Sequence, residues 1–278
     1  MSRMFHLMDW LRSGRAPIRR SVVNRIMYDV IYSLPAVARG GFFNHGFHPP
    51  ATDMALAPGL AHSPLQAAYY DFALRLHPGP SPAPAALLDI GCGSGGGLLQ
   101  AAACFPGASL AGIDPSGRGI RQARRRLRAI TPAVDLRRGS ADRLPFPDAS
   151  FDRVVSVGVI GYVDRAALLA EIARVLRPGG IASLTGGALD TPLSWLRQRL
   201  EAAGRDVGLH ALRFTETTAN CFAAVEIDGP RHAAMIEKLP GIIRGYAREW
   251  AALPGSLRHQ MYLDRRRLEF GMVFVKAG

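Results

Sequence analysis

The chain reads as an α/β protein: a parallel sheet with helices packed on both faces. Three observations carry this. Short apolar runs alternate with helical stretches from Ala86 onward. The first run opens into a glycine-rich loop, Gly91-Cys92-Gly93-Ser94-Gly95-Gly96-Gly97. Acids stand near the carboxyl ends of the first two runs, at Asp89 and Asp114. Repeated strand–helix units close into a sheet by crossovers of one hand, which makes neighbouring strands parallel.

The elements follow in order. Ala86–Ile90 is the first strand, and Ser94–Cys104 the helix after it, stopped at Phe105-Pro106-Gly107. Ser109–Ile113 is the second strand, and Gly117–Ile130 a helix dense in arginine. Val134–Arg138 is a short third strand, and Phe151–Val157 an apolar fourth. Arg165–Leu176 places Ala166, Leu169, Ile172, Ala173 and Leu176 on one helical face. Arg177-Pro178-Gly179-Gly180 closes that helix, and Ile181–Thr185 is the fifth strand. Pro192–Ala203 is a helix, Gly208–Phe214 a sixth strand and Leu268–Lys276 a final one. Helices through Trp250 separate the last two strands, an insertion over about residues 216–255. Residues 1–80 stand apart: helical in patches, rich in arginine and aromatics, and ending in a Pro-rich linker.

At 278 residues, 48% of them hydrophobic, the chain is long enough to bury one large core. No apolar run reaches the roughly 18 residues of a membrane span. Met1–Arg20 lacks a continuous apolar core and a cleavage site, so no signal peptide is expected. Three scattered cysteines make neither a disulfide framework nor a zinc spacing, which fits a reducing cytoplasm and no metal. The net charge of +12 comes almost wholly from arginine. Its densest cluster, Arg118 to Arg128, carries no interleaved aromatics, which favours a solvated helix face over a nucleic-acid surface. Met1–Arg20 also mixes apolar residues with arginines; a helix packed on protein is favoured over one lying on a membrane. The oligomeric state is not legible.

Gly91, Gly93 and Gly96 fit the spacing of a strand turning into a nucleotide-binding helix. The acid two residues before the first glycine repels a pyrophosphate and suits a cationic ammonium. That points to S-adenosylmethionine (SAM) rather than a dinucleotide. Asp114 lies 25 residues beyond Asp89, and its carboxylate can accept from both ribose hydroxyls. Asp142, in Gly139-Ser140-Ala141-Asp142-Arg143-Leu144-Pro145-Phe146, suits the adenine amino group, with Ala141 or Leu144 against the ring.

These motifs, followed by Phe151-Asp152-Arg153-Val154 and Arg174-Val175-Leu176-Arg177-Pro178-Gly179-Gly180, resemble the class I SAM-dependent methyltransferases over about residues 84–186. The resemblance implies a Rossmann-like seven-stranded sheet with an antiparallel last strand. It assigns cofactor roles to Asp89, Gly91, Gly93, Asp114 and Asp142; Cys92, Pro115, Ser116, Ala141 and Val157 are the further cofactor-binding candidates. Gly41-Phe42-Phe43-Asn44-His45-Gly46-Phe47 is similar to a lid segment of small-molecule methyltransferases. Leu239-Pro240, Arg244, Ala247-Arg248-Glu249 and Leu268-Glu269-Phe270 are loosely similar to the phthiotriolone and phenolphthiotriolone dimycocerosate methyltransferases. Those enzymes carry histidine in the loop after strand four, where this chain reads Gly158-Val159-Ile160-Gly161-Tyr162-Val163.

The domains expected are thus a lid and linker over 1–80 and a SAM-binding core over 81–278. The function expected is O-methylation of a small hydrophobic metabolite or lipid. C- or N-methylation of a natural product, with or without cyclisation, stays open, and an NAD-dependent oxidoreductase is the distant rival. His45 and Tyr162 are the candidates for catalysis. Phe43, Tyr162, Ile243 and Tyr246 are the candidates for the substrate wall. Tyr28 and Tyr32, four apart on a helix, either pack in the core or enclose the cofactor. Glu216 is expected to cap the helix that follows it.

Overall fold

A computed structural model describes residues 20–33, 42, 44–49, 56–79, 83–128 and 134–278. The expectations for Met1–Arg19 and for Phe43 fall outside them. The strands are β1 (Ala86–Ile90), β2 (Ser109–Asp114), β3 (Asp135–Arg138), β4 (Phe151–Val157), β5 (Leu176–Leu189), β6 (Leu209–Glu216) and β7 (Arg267–Lys276). They form one sheet in the order β3-β2-β1-β4-β5-β7-β6. β1 to β5 pair in parallel, and β7 runs antiparallel between β5 and β6. The expected Rossmann-like sheet with an antiparallel last strand is therefore the observed one.

The helices are α1 (Arg20–Ile31), α2 (Pro64–Arg75), α3 (Gly96–Cys104), α4 (Gly117–Leu127), α5 (Arg165–Val175), α6 (Leu193–Arg205), α7 (Thr218–Ile236), α8 (Gly241–Trp250) and α9 (Leu257–Leu263). Adjacent strand residues point to opposite faces. Leu88 and Ile90 accordingly join the cluster under α5 and α6, while Leu87 joins the one under α2, α3 and α4. Burial on both faces is why the central strands read as continuous apolar runs. The arginines of α4 leave Ile120, Ala123 and Leu127 to the core, and Arg121, Arg124, Arg125 and Arg128 are exposed.

Several features differ from the sequence reading, among them the start of β5 at Leu176, which puts Arg177-Pro178-Gly179-Gly180 inside the strand. β5 runs through Leu189 because β7 pairs with it from Ile181–Val275 to Leu189–Arg267, a partner distant in sequence. Three helices, α7 to α9, fill the connection between β6 and β7, so the insertion extends to Leu263. Glu216 caps nothing. The residue before α7 is Thr217, which makes no side-chain cap, and the Glu216 carboxylate accepts from Arg265 Nη2 at 2.9 Å. No described helix is long and apolar enough to cross a membrane.

Candidate functional site

The carboxyl ends of β1, β2 and β4 open onto a cavity of about 440 Å³. That is the edge at which open α/β sheets bind ligands, and the volume suits a drug-sized molecule. The glycine loop is tied to β2: the N–H groups of Gly91 and Cys92 donate to the Ile113 carbonyl at 2.8 and 3.1 Å. Asp114, 6% exposed, accepts from the Gly93 N–H at 3.0 Å and the Ser116 N–H at 2.8 Å, and it lines the cavity. Burial raises its carboxyl to about 6, against the pull of those two donors. Ser116 is fully buried and caps α4, accepting from the Gly119 N–H at 3.0 Å.

Asp89 has no solvent exposure, and neither of its oxygens has a hydrogen-bond partner among the described residues. Burial, and then the charge of Asp114, push it up to about 8; Tyr70 pulls the other way without reaching hydrogen-bond geometry. An orphaned buried acid is costly on its own and marks a place for a cation or donor. The loop is shaped to come close: Gly91 and Gly93 hold φ of +83° and +54°, where a side chain is strained. A Cβ on Gly91 would overlap Val159 Cγ2, and one on Gly93 would overlap the Tyr32 hydroxyl.

Of the cofactor residues assigned from sequence, Gly91, Asp114, Pro115, Ala141 and Val157 line the cavity. Asp89, Gly93 and Ser116 stand behind them as the orphaned acid and the loop supports. Cys92 is buried and packs towards β2, where a Cβ on Gly112 would meet its sulfur at 2.8 Å; burial raises its thiol well above the usual range. Asp142 is exposed and stands outside the lining, while its neighbours Ser140 and Ala141 are in it.

The roof comes from α1. Tyr28 and Tyr32 line the cavity with ring centroids 6.3 Å apart, and Tyr28 meets Tyr162 edge-on at 6.4 Å. Asp29, on the same helix, docks at the N-terminus of α4. Its Oδ1 accepts from Ser116 Oγ at 2.6 Å and from the Arg118 N–H at 3.0 Å. Gln122 Nε2 donates to the Tyr32 carbonyl at 2.6 Å.

The other end of the cavity is built by residues far apart in sequence. His45 lies there stacked on Trp250, with ring centroids 5.0 Å apart. Burial, then the charges of Arg267 and Arg258, hold His45 well below its usual range, so it is neutral at pH 7. Tyr162 is in the wall, with Tyr69, Arg258, Arg267 and Glu269. Ile243 and Tyr246 stand outside the lining. Tyr246 Oη lies 3.4 Å from Met27 Sδ and so braces α1 from its outer side. Sequence reasoning missed Arg258, Arg267 and Glu269 as wall residues. The one available signal was Glu269, a charge standing inside the apolar run of the last strand, Leu268 to Val275.

A methyltransferase-domain family matches residues 87–180. The phthiotriol/phenolphthiotriol dimycocerosates methyltransferase of Mycobacterium tuberculosis (strain ATCC 25177 / H37Ra) is 30% identical over 193 residues, 67% of each chain. A fatty-acid O-methyltransferase of Mycolicibacterium smegmatis is 36% identical over 126 residues, 41% of this chain and 45% of that one. Among solved structures, the geranyl diphosphate C-methyltransferase of Streptomyces coelicolor A3(2) superposes with a TM-score of 0.68. It is 19% identical and covers 94% of this chain and 100% of its own. The cyclase SpnF superposes with a TM-score of 0.71 at 22% identity, covering 94% and 98%.

The chain belongs to the class I SAM-dependent methyltransferases. Its cofactor is SAM. The residues present fit that group: an orphaned acid suited to the ammonium, a second acid in the cavity wall suited to the ribose, and between them a loop in which Gly91 and Gly93 let the backbone come close.

Two expected results test this cradle. Asp114→Ala removes the acceptor offered to the ribose and frees two loop N–H groups. SAM affinity should fall by about 1.5–3 kcal/mol, the worth of hydrogen bonds to a charged group. Calorimetry on the folded variant checks it; unchanged affinity would remove Asp114 from the cofactor site. Gly91→Val meets both a positive φ and Val159, so SAM binding should be lost while far-ultraviolet circular dichroism keeps its helical signal. A variant that binds SAM normally would show that the loop tolerates the bulk.

Proposed function

We propose that the chain methylates an oxygen of a small hydrophobic metabolite or lipid. The observation that supports this most is the continuity of the cavity. One space joins the Asp114 cradle to a wall of Tyr69, Tyr162, Trp250 and His45, roofed by Tyr28 and Tyr32. Bound SAM supplies an activated methyl group on a sulfonium centre. The protein's part is to orient the acceptor and exclude water, which an aromatic, roofed cavity does. Neutral His45 is the proton acceptor that the wall offers. Its depressed pKa makes it a weak base, suited to an acidic O–H more than to an aliphatic alcohol; an already ionised oxygen needs no base. Tyr162 orients the acceptor from the loop after β4. The relatives named for phthiotriol lipids and fatty acids make a lipid-like acceptor the first choice.

The test supplies methyl-labelled SAM and a panel of long-chain acids, phenols, alcohols and amines, and reads the products by mass spectrometry. Label on oxygen is expected. Label confined to carbon or nitrogen would overturn the oxygen assignment, and retention of NAD rather than SAM on purification would overturn the reaction class.

A further inference from the structure

Leu189 lines the cavity and yet is 47% exposed, so the space opens beside it, at the carboxyl end of β5. Beyond it α6 begins at Leu193, and Trp195, in the first turn, is half-exposed. The Arg199 guanidinium, one turn on, lies 5.4 Å from the centroid of the Trp195 ring. The roof carries the same kind of surface. On α1, Met27, Tyr28 and Ile31 turn inward, while Ile26 and Val30 are 57% and 54% exposed. These two stand four apart and share the outer face of the helix. Apolar side chains scattered singly over a surface need no explanation. Two pairs, on the roof and the lip of one cavity, do.

Positive charge follows the same edge of the sheet. α4 starts at the carboxyl end of β2, against α1, and its Arg118 N–H donates to Asp29. Burial pushes the Asp29 carboxyl up, but Ser116, that N–H and then the charges of Arg138 and Arg121 bring it below its usual range. Arg118, Arg121 and Arg138 are all exposed. Three guanidinium groups thus stand around one carboxylate, which already accepts from Ser116 and the Arg118 backbone. Exposed acids elsewhere on this edge have arginines of their own. Asp190 pairs with Arg266 at 2.7 Å, and Asp142 and Asp164 are each followed by an exposed arginine.

Aliphatic side chains and an indole bordered by arginines match a bilayer surface. The apolar groups enter the boundary between headgroups and acyl chains, and the arginines meet anionic headgroups. A single-stranded nucleic acid would use the same arginines but needs aromatic faces to stack on, which Ile26, Val30 and Leu189 do not offer.

We propose that the roof and lip of the cavity form a docking face for an anionic lipid bilayer. Ile26, Val30, Leu189 and Trp195 enter the headgroup boundary, and Arg118, Arg121 and Arg138 lie on the phosphates. The mouth then opens onto the bilayer, and a lipid-like acceptor reaches it without crossing water. That last step rests on the function proposed above; the docking does not.

The experiment is sedimentation of the full chain with vesicles of phosphatidylcholine, alone and mixed with phosphatidylglycerol. Binding to the mixed vesicles is expected to be tighter by about tenfold or more. Val30→Asp and Trp195→Ala should each weaken it by about tenfold, the scale of burying one such side chain. Arg121→Gln together with Arg138→Gln should weaken it by about thirtyfold. Arg128→Gln together with Arg205→Gln removes the same charge from the opposite ends of α4 and α6. That pair should cost much less, because the attraction fades within a Debye length. SAM affinity, measured on every variant, reports that the fold is intact. Equal losses from the two arginine pairs would overturn the proposal, since adsorption would then follow net charge alone. So would binding untouched by both Val30→Asp and Trp195→Ala, or no binding to either vesicle. Binding of a single-stranded RNA in place of the mixed vesicles would overturn the choice of a lipid surface. Docking without methyl transfer to any acceptor would count against the proposed function alone, and transfer without docking against this face alone.

Discussion

Asp89→Asn is expected to act in opposite directions on the cofactor-free and cofactor-bound protein. The Asp89 carboxyl is fully buried and pushed up to about 8, well above its value of about 4 in an unfolded chain. The sign follows from proton counts. Between those two values the folded protein holds a proton that the unfolded chain releases, so stability is present in full below about pH 4. It is lost as pH rises through 8. Asp114, raised to about 6, adds a smaller loss of the same sign at the lower end of that window. Asparagine carries no charge at any pH and replaces a protonated carboxyl with a group of like size. The cofactor-free variant should therefore melt several degrees above the parent at pH 8.5, a gain of several kcal/mol at most, with the gap narrowing as pH falls and closing only below about pH 4.

Cofactor binding reverses the balance. An ammonium beside Asp89 favours the ionised form, so SAM must displace the proton at neutral pH. Affinity for SAM should then rise as pH increases towards 8 and level off above it. Calorimetry at pH 7 in buffers of different ionisation enthalpy should show a proton leaving the protein. In Asp89→Asn the pH dependence should flatten, and SAM affinity should fall by about 2–3 kcal/mol, the scale of an interaction with a buried charge. A variant that melts lower than the parent at pH 8.5, or that binds SAM as tightly, would show that Asp89 is a structural residue only.

The half of the cavity expected to hold the cofactor was readable because its parts are local. A strand, a loop and the acid at the end of the next strand lie within about 30 residues, and strand alternation fixes which side chains face which way. The acceptor end was not. Its wall combines His45, Tyr69, Trp250 and Arg258 with the start of β7, elements joined only by the fold. Helical spacing puts Tyr246 and Trp250, four residues apart on α8, on one face. It could not say that Tyr246 rests on Met27 of α1 while Trp250 reaches the cavity beside His45. Cys92 shows the converse. Its place inside a cofactor loop suggests contact, yet the strand-to-helix turn aims its sulfur towards β2.

Removal of α1 carries the other large effect. The helix buries Met27 and Ile31, and Tyr32 beyond its end is buried too. Tyr28 and Tyr32 form the roof over the junction between the two ends of the cavity. Asp29 and Gln122 make the attachments at α4. A chain beginning after Ser33 keeps all seven strands and both core clusters apart from the contacts of α1, so it should fold. It loses the groups that exclude water and press the reactants into line, and misplacement of even about 1 Å costs on the order of a hundredfold. Turnover should therefore fall by a hundredfold or more. SAM affinity should fall less, because the Asp89 and Asp114 cradle is retained. Asp29→Ala, which leaves the helix in place and cuts its attachment at the α4 N-terminus, should lie between the two, at a cost of about 1–2 kcal/mol in the closed state. Single-turnover rates with saturating SAM, measured on the parent, the truncated chain and Asp29→Ala, give the comparison. Equal rates in all three would mean that α1 decorates the domain rather than closing its site. A truncated chain as slow as expected beside an Asp29→Ala variant as fast as the parent would move the attachment from Asp29 to the apolar face that Met27 and Ile31 bury.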